Sequence, residues 1–162
     1  MALKLLRAVT VVLVALRSGL AFAHVLEQPA KMGYDAVFYI TLQKSLYVHW
    51  GPPNIGGFLE PLTIVATALT VFFIRKNRRA FSLSLFALLA LMLAFPVVFF
   101  WLVAPANAAF LSTALPNVPP NWPDLRLSWE SGHAIRFALQ LAALSSLVLS
   151  LVLDAPASTS RP

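Results

Sequence analysis

Cysteine is absent from this chain of 162 residues, and carboxylates are scarce, six Asp and Glu against twelve Lys and Arg. Without thiols the chain has no disulfides, no thiolate metal centre and no cysteine nucleophile. Charge of either sign amounts to only 11% of the residues, too little to coat a water-soluble surface. No internal repeat is visible, so the paired halves with broken helices that mark many transporters are missing as well. What fills the chain instead is apolar: 59% of residues are hydrophobic and the mean hydropathy is +0.79. Such a composition describes a membrane protein.

Four segments, about residues 5–27, 55–74, 81–104 and 130–153, are apolar for the roughly 20 residues needed to cross a bilayer. They predict an all-α integral membrane protein, a four-transmembrane-helix up-down bundle forming one domain over residues 1–154. Residues 155–162 read as a disordered cytoplasmic tail. Arg75, Lys76, Arg78 and Arg79 crowd the connection between the second and third spans, Lys4 and Arg7 open the chain and Arg161 ends it. The other side carries Lys31, Lys44 and Arg126, so the positive-inside rule places both termini in the cytoplasm, as in a bacterial inner membrane. The basic excess is thus a topology signal, and nucleic acid is not an expected partner. The lipid bilayer is; a small lipophilic substrate and a second copy of the chain are the other candidates.

Along the chain, Lys4, Arg7, the apolar residues 8–16 and the triplet Ala21-Phe22-Ala23 also fit a secretory signal peptide cleaved after Ala23. Helical polar spacing that continues through Ala23 favours an uncleaved span. Arg17 falls near mid-span and His24 seven residues on, on one face, and Pro29 is expected to end the helix. Residues 33–50 read as an amphipathic helix on the outer interface, with Tyr34, Tyr39, Tyr47 and Trp50 as an aromatic belt at headgroup depth. Pro52 and Pro53 break it, Gly56 and Gly57 allow close helix approach, and Glu60 enters the second span just before Pro61. The third span is uncharged from 81 to 104 and reads as packing surface kinked at Pro96. From Pro105 and Asn107 to Pro123 the prolines predict irregular loop.

The densest chemistry is at residues 122–136, W-P-D-L-R-L-S-W-E-S-G-H-A-I-R, where Arg126, Glu130, His133, Arg136 and Gln140 form one helical stripe. Glu130-x-x-His133 on an inward-running helix mirrors His24-x-x-Glu27 on an outward-running one. Level histidines then imply level glutamates, about 4.5 Å nearer the outside. Three readings follow. His24, Glu27, Glu60, Glu130 and His133 are a candidate donor set for iron or another divalent metal, by analogy with carboxylate-bridged four-helix bundles, although the third span offers only Asn107. His24 and His133 are alternatively candidate axial ligands of a haem. Or Arg17, Arg126 and Arg136 neutralise Glu27, Glu60 and Glu130 in an ion-pair network.

H-V-L-E-Q-P-A-K-M at residues 24–32, Leu46-Tyr47, Glu60, P-A-N at 105–107 and N-W-P-D-L-R-L-S-W-E-S-G-H at 121–133 together resemble the anthrone-oxygenase-like family of small four-span membrane proteins. Ala30 departs from the Asn expected in several relatives. The resemblance implies an uncleaved first span and, through a few members that oxidise an anthrone to an anthraquinone, an oxidoreductase acting on a small lipophilic aromatic or quinoid substrate. In that expectation His133 or His24 is base or metal ligand, Arg126 stabilises an oxyanion and Glu130 orients. Trp122, Trp129, Asn107 and Arg17 are the candidate substrate-binding residues. The competing class is a non-catalytic membrane binding, transport-accessory or subunit protein.

Overall fold

A computed structural model describes residues 1–51 and 54–154; the predicted tail and the Pro52-Pro53 break lie outside the described residues. The chain forms α1 (Ala2–Met32), α2 (Ala36–Ser45), a 3-10 turn (Tyr47–His49), α3 (Ile55–Ile74), α4 (Arg78–Met92), a π-helical stretch (Leu93–Val103), α5 (Ala104–Ser112) and α6 (Trp122–Val152). Among the described residues there is no strand. Four continuous helices, Ala2–Met32, Ile55–Ile74, Arg78–Ser112 and Trp122–Val152, are long and apolar enough to cross a membrane. They stand in a ring in which α1 packs on α3, α3 on α4, α4 on α6 and α6 back on α1. This is the expected four-span bundle, with Phe72, Phe73, Phe86 and Leu89 turned outward as lipid-facing surface.

The second span keeps its predicted bounds, whereas the first, third and last helices overrun their predicted loop-side ends. Pro29 lies inside α1, which ends at Met32 with Gly33 closing its last turn. A 31-residue helix is about 46 Å long, some 16 Å more than the hydrocarbon core. α6 is as long. Their common overhang forms a lobe on the loop face, the end of the bundle bearing α2, α5 and the connection to α6. Pro105 and Asn107, predicted to open a loop, sit instead in α5, which continues the π-helical stretch without a break.

α2 starts at Asp35, whose carboxylate accepts from the Phe38 N–H at 2.9 Å, and it closes the lobe like a lid. Its aromatic faces are the reverse of the predicted belt. Tyr39 and Tyr47 are buried, whereas Val37 and Phe38 are exposed. The tyrosines turn inward because each phenol has a carboxylate to reach, buried Glu130 for Tyr39 and half-buried Glu27 for Tyr47. Lys44 ties α2 to the end of α5 by donating to the Thr113 carbonyl at 2.7 Å.

Two apolar cores result, one in the lobe around Tyr39, Phe110, Val103 and Trp129, the other towards the termini around Val14, Ala87, Leu91 and Leu147. Beyond the second core the terminal face is clasped by polar side chains. Arg7 binds Asp154 and the Ser150 carbonyl, and Thr10 meets Thr70 at 3.0 Å. A layer of ionisable residues is held between the two cores. Pro96 deprives the third span of one backbone donor, and there the helix widens to i→i+5 bonding over Leu93–Val103. With that wider turn Phe95, Phe99 and Phe100 come to one side, with ring centroids 5.2 to 5.6 Å apart.

The π-helical stretch leans on α6. Gly132 makes this possible: a Cβ there would meet Val103 Cγ2 at 2.7 Å and Leu102 Cβ at 3.1 Å. Ser128 adds a hydrogen bond to the Leu102 carbonyl at 3.0 Å. Gly132→Leu must push the two helices apart, and overpacking of this kind costs about 1–3 kcal/mol. The expected result is a lowered thermal midpoint in detergent; a variant melting with wild type would refute the close approach.

Candidate functional site

Seven-residue spacing places Thr10, Arg17, His24 and Lys31 along one side of α1, all buried. On α6 the buried series is Glu130, His133, Arg136 and Gln140. The mirrored motifs do come level: the His24 and His133 rings are 4.0 Å apart, tilted by 40°. Around them close Trp129, 4.2 Å from His133, and Tyr47 and Trp50, 5.1 and 5.0 Å from His24. The Nδ1 atoms of both histidines are buried without a hydrogen-bond partner among the described residues.

The imidazoles border a cavity of about 230 Å³ whose other walls are Phe95, Phe99, Phe100 and Trp50. Its charged floor is a trio. Arg17 from α1 and Arg136 from α6 both bind the same oxygen, Oε1, of Glu60 on α3. Arg136 also donates from Nε to the Ala94 carbonyl at 3.2 Å and lies 5.0 Å from the Phe99 ring. Two guanidiniums, which stay charged in proteins, share one carboxylate, so the ionised floor carries a net positive charge. Asn107 reaches the cavity from α5, its Oδ1 accepting from Trp129 Nε1 at 2.7 Å.

Towards the loop face a second network lies behind Trp129. Lys31 is 3.1 Å from Glu130 and 3.8 Å from Glu27, and its ammonium stands 4.5 Å from the Trp129 ring and 5.0 Å from that of Tyr47. Tyr39 donates to Glu130 at 3.0 Å and Tyr47 to Glu27 at 2.5 Å. Burial first, then the Glu130 carboxylate, pushes the Tyr39 phenol above the ordinary tyrosine range; burial and the bond to Glu27 do the same at Tyr47. Both therefore persist as hydrogen-bond donors.

Several expectations change here. Arg126 neutralises no glutamate and does not line the cavity; it donates to the carbonyls of Lys31, Met32 and Tyr34 and stacks on Trp122 at 4.4 Å. The last four carbonyls of a helix lack intrahelical donors, and Arg126 supplies donors to two of those of α1, Lys31 and Met32. Trp122 consequently belongs to the lobe core, outside the cavity. The five-residue metal set is not assembled. Among the described residues no group of three or more His, Asp or Glu could hold a metal, because Glu60 is taken by arginines and Glu27 and Glu130 by Lys31 and the tyrosines. Nor does a haem fit between imidazoles whose centroids are 4.0 Å apart, since they are already in contact. The third span, expected to be mostly packing surface with Phe99 and Phe100 near its outer end able to hold an aromatic ring, furnishes the aromatic wall.

Arg17, His24, Glu60, Asn107, Trp129, His133 and Arg136 are thus brought together, and Lys31, Tyr39, Tyr47 and Trp50 join them without having been anticipated as site residues. The step from Arg17 to His24, extended by seven, marks Lys31. Fold and site define a four-span membrane bundle with an ionisable, aromatic-walled cavity. No protein-family model, curated protein or solved structure matches the chain.

Glu60→Gln leaves two buried guanidiniums facing each other, and breaking a buried pair costs about 3–5 kcal/mol. Replacing the trio together, as Arg17→Met, Glu60→Leu and Arg136→Met, leaves no orphaned charge. Unfolding in detergent is expected to rank the single variant below the triple; the opposite ranking would show that the trio is not a closed charge unit.

Proposed function

We propose that this protein is a membrane oxidoreductase of the oxygenase type, acting on a small lipophilic aromatic or quinoid compound held in the cavity. The observation that carries the reading is the His24–His133 pair facing a cavity with aromatic walls and a net positive floor. Aromatic walls suit a planar ring, and a cavity of about 230 Å³, below the usual range for drug-sized ligands, suits a small one. A neutral imidazole bordering the cavity can take a proton from a carbon beside a carbonyl or from a phenol. The enolate or phenolate so formed would meet the uncompensated positive charge of Arg17 and Arg136, in place of the Arg126 role expected from sequence. Glu60 acts by positioning both guanidiniums. Trp129, oriented by Asn107, covers the imidazoles.

The redox half of the reading rests on the motif resemblance to the anthrone-oxygenase-like family. With dioxygen as oxidant the chemistry balances: a ring methylene loses two hydrogens and gains one oxygen as a carbonyl, and the second oxygen leaves as water. Because the carboxylates are engaged by cations, no step is assigned to a metal. A non-catalytic binding or accessory role draws support from one observation, that Glu27, Glu60 and Glu130 all lie within ion-pair distance of a cation and so account for themselves structurally.

The basic residues of the terminal face, including Lys4, Arg75, Lys76, Arg78 and Arg79, support termini in the cytoplasm of a bacterial inner membrane. A C-terminal reporter fusion that fluoresces only in the cytoplasm is expected to be bright; a dark fusion with an active periplasmic reporter would reverse the orientation.

Reconstituted in liposomes with anthrone, the protein is expected to consume one dioxygen per anthraquinone formed and to be silent without oxygen. Removing the base is expected to slow turnover by about 10²-fold or more, and comparison of His24→Ala with His133→Ala identifies it. Anthrone bound but left unchanged in air would sink the oxidoreductase reading and favour the binding protein.

A further inference from the structure

The second and third spans stay together for only part of their length. α3 packs along α4, but beyond Met92 the π-helical stretch leans onto α6 and leaves α3 almost untouched. The two helices therefore diverge in the loop-side half of the membrane, where Glu60 enters α3. What borders this divergence is the cavity. Gly56 and Gly57 line it from α3, Phe95, Phe99 and Phe100 from the third span, and Leu20 from α1. Phe100 is 58% exposed, and Gly57 is also partly open to the outside. No long side chain on α3 fills the space, because its edge there is two glycines. A Cβ at Gly56 would stand 2.0 Å from the Trp50 carbonyl, so that position is committed to the chain connection above it. Pro61, lacking an N–H, leaves the Gly57 carbonyl without its helical bond.

We propose that this divergence is a lateral doorway through which the ligand enters from the hydrocarbon of the bilayer, between the second and third spans. The ligand class follows from the dimensions. The cavity of about 230 Å³ takes one small planar head, while a larger molecule must leave its remainder in the doorway, against Phe100 and the acyl chains. The ligand is therefore a membrane-dissolved amphiphile: an aromatic or quinoid head bearing an oxygen that reaches Arg17 and Arg136, with an apolar body or tail that remains in lipid. This deepens the proposed function and rests on it for the nature of the head. The route itself rests only on the geometry.

The test uses a benzophenone bearing an alkyl chain, dissolved in the membrane of liposomes containing the full-length protein, irradiated and mapped by peptide mass spectrometry. Adducts are expected on Leu20, Phe95, Phe100 or the helix start at Gly57, beyond the general lipid-facing background at residues such as Leu16 and Phe72. Gly57→Phe, which sets a ring in the doorway, is expected to lower the cavity adducts about tenfold, equivalent to about 1.4 kcal/mol of occupancy. Phe100→Ala, which widens it, is expected to raise them, and it serves if Gly57→Phe does not fold. Adducts confined to the lipid-facing background, with no change in either variant, would overturn the doorway. The readout is independent of catalysis. Doorway adducts without anthrone oxidation would remove the proposed reaction alone, and oxidation without doorway adducts would remove the route alone.

Discussion

Everything in this bundle is arranged around the cost of holding charge away from water. An ion moved into hydrocarbon loses several kcal/mol even after the surroundings relax, and only close opposite charge recovers it. Glu60 meets that cost for two arginines from two other helices, and it fixes the mutual rotation of α1, α3 and α6 in doing so. A Leu or Val at the same positions would tolerate any rotation that kept it buried. The carboxylate tolerates one.

That constraint explains why the fold was legible in the sequence and the site only partly so. Span number and order follow from hydropathy, because lipid enforces apolar residues over a fixed length. The rule is silent where helices leave the hydrocarbon. Pro29 and Pro105 read as stops there, yet both lie within helices, since α1 continues under Arg126 and α5 carries the third span on through Pro105 without a break. The same early stop hid Lys31. Its spacing from Arg17 and His24 was present in the sequence, but a helix ending at Pro29 would have left Lys31 in a loop.

Pairing was the other illegible part. Helical stripes show which residues share a face, and they correctly turned Arg17, Glu130, His133 and Arg136 inward. They do not say which cation meets which anion. Arg126 looked like a counter-ion and became a cap for backbone carbonyls, while Lys31, apparently a loop charge, took Glu130. Tyr39 and Tyr47 looked like headgroup anchors, yet the two loop-side carboxylates still had acceptors to satisfy and drew them in.

The seven-residue series on α1 has a geometric consequence for how the two networks are connected. An ideal α-helix falls about 20° short of two full turns every seven residues, so a stripe at that spacing winds slowly around its own helix. Thr10 and Arg17 accordingly touch α3, at Thr70 and Glu60, whereas His24 and Lys31 touch α6, at His133 and Glu130. One stripe thus serves two neighbours in succession, with the change of partner falling between Arg17 and His24. The length of chain between those two residues is therefore a gear ratio. Adding or removing one residue would turn the loop-side half by about 100° and disengage it from α6 while leaving the terminal half seated.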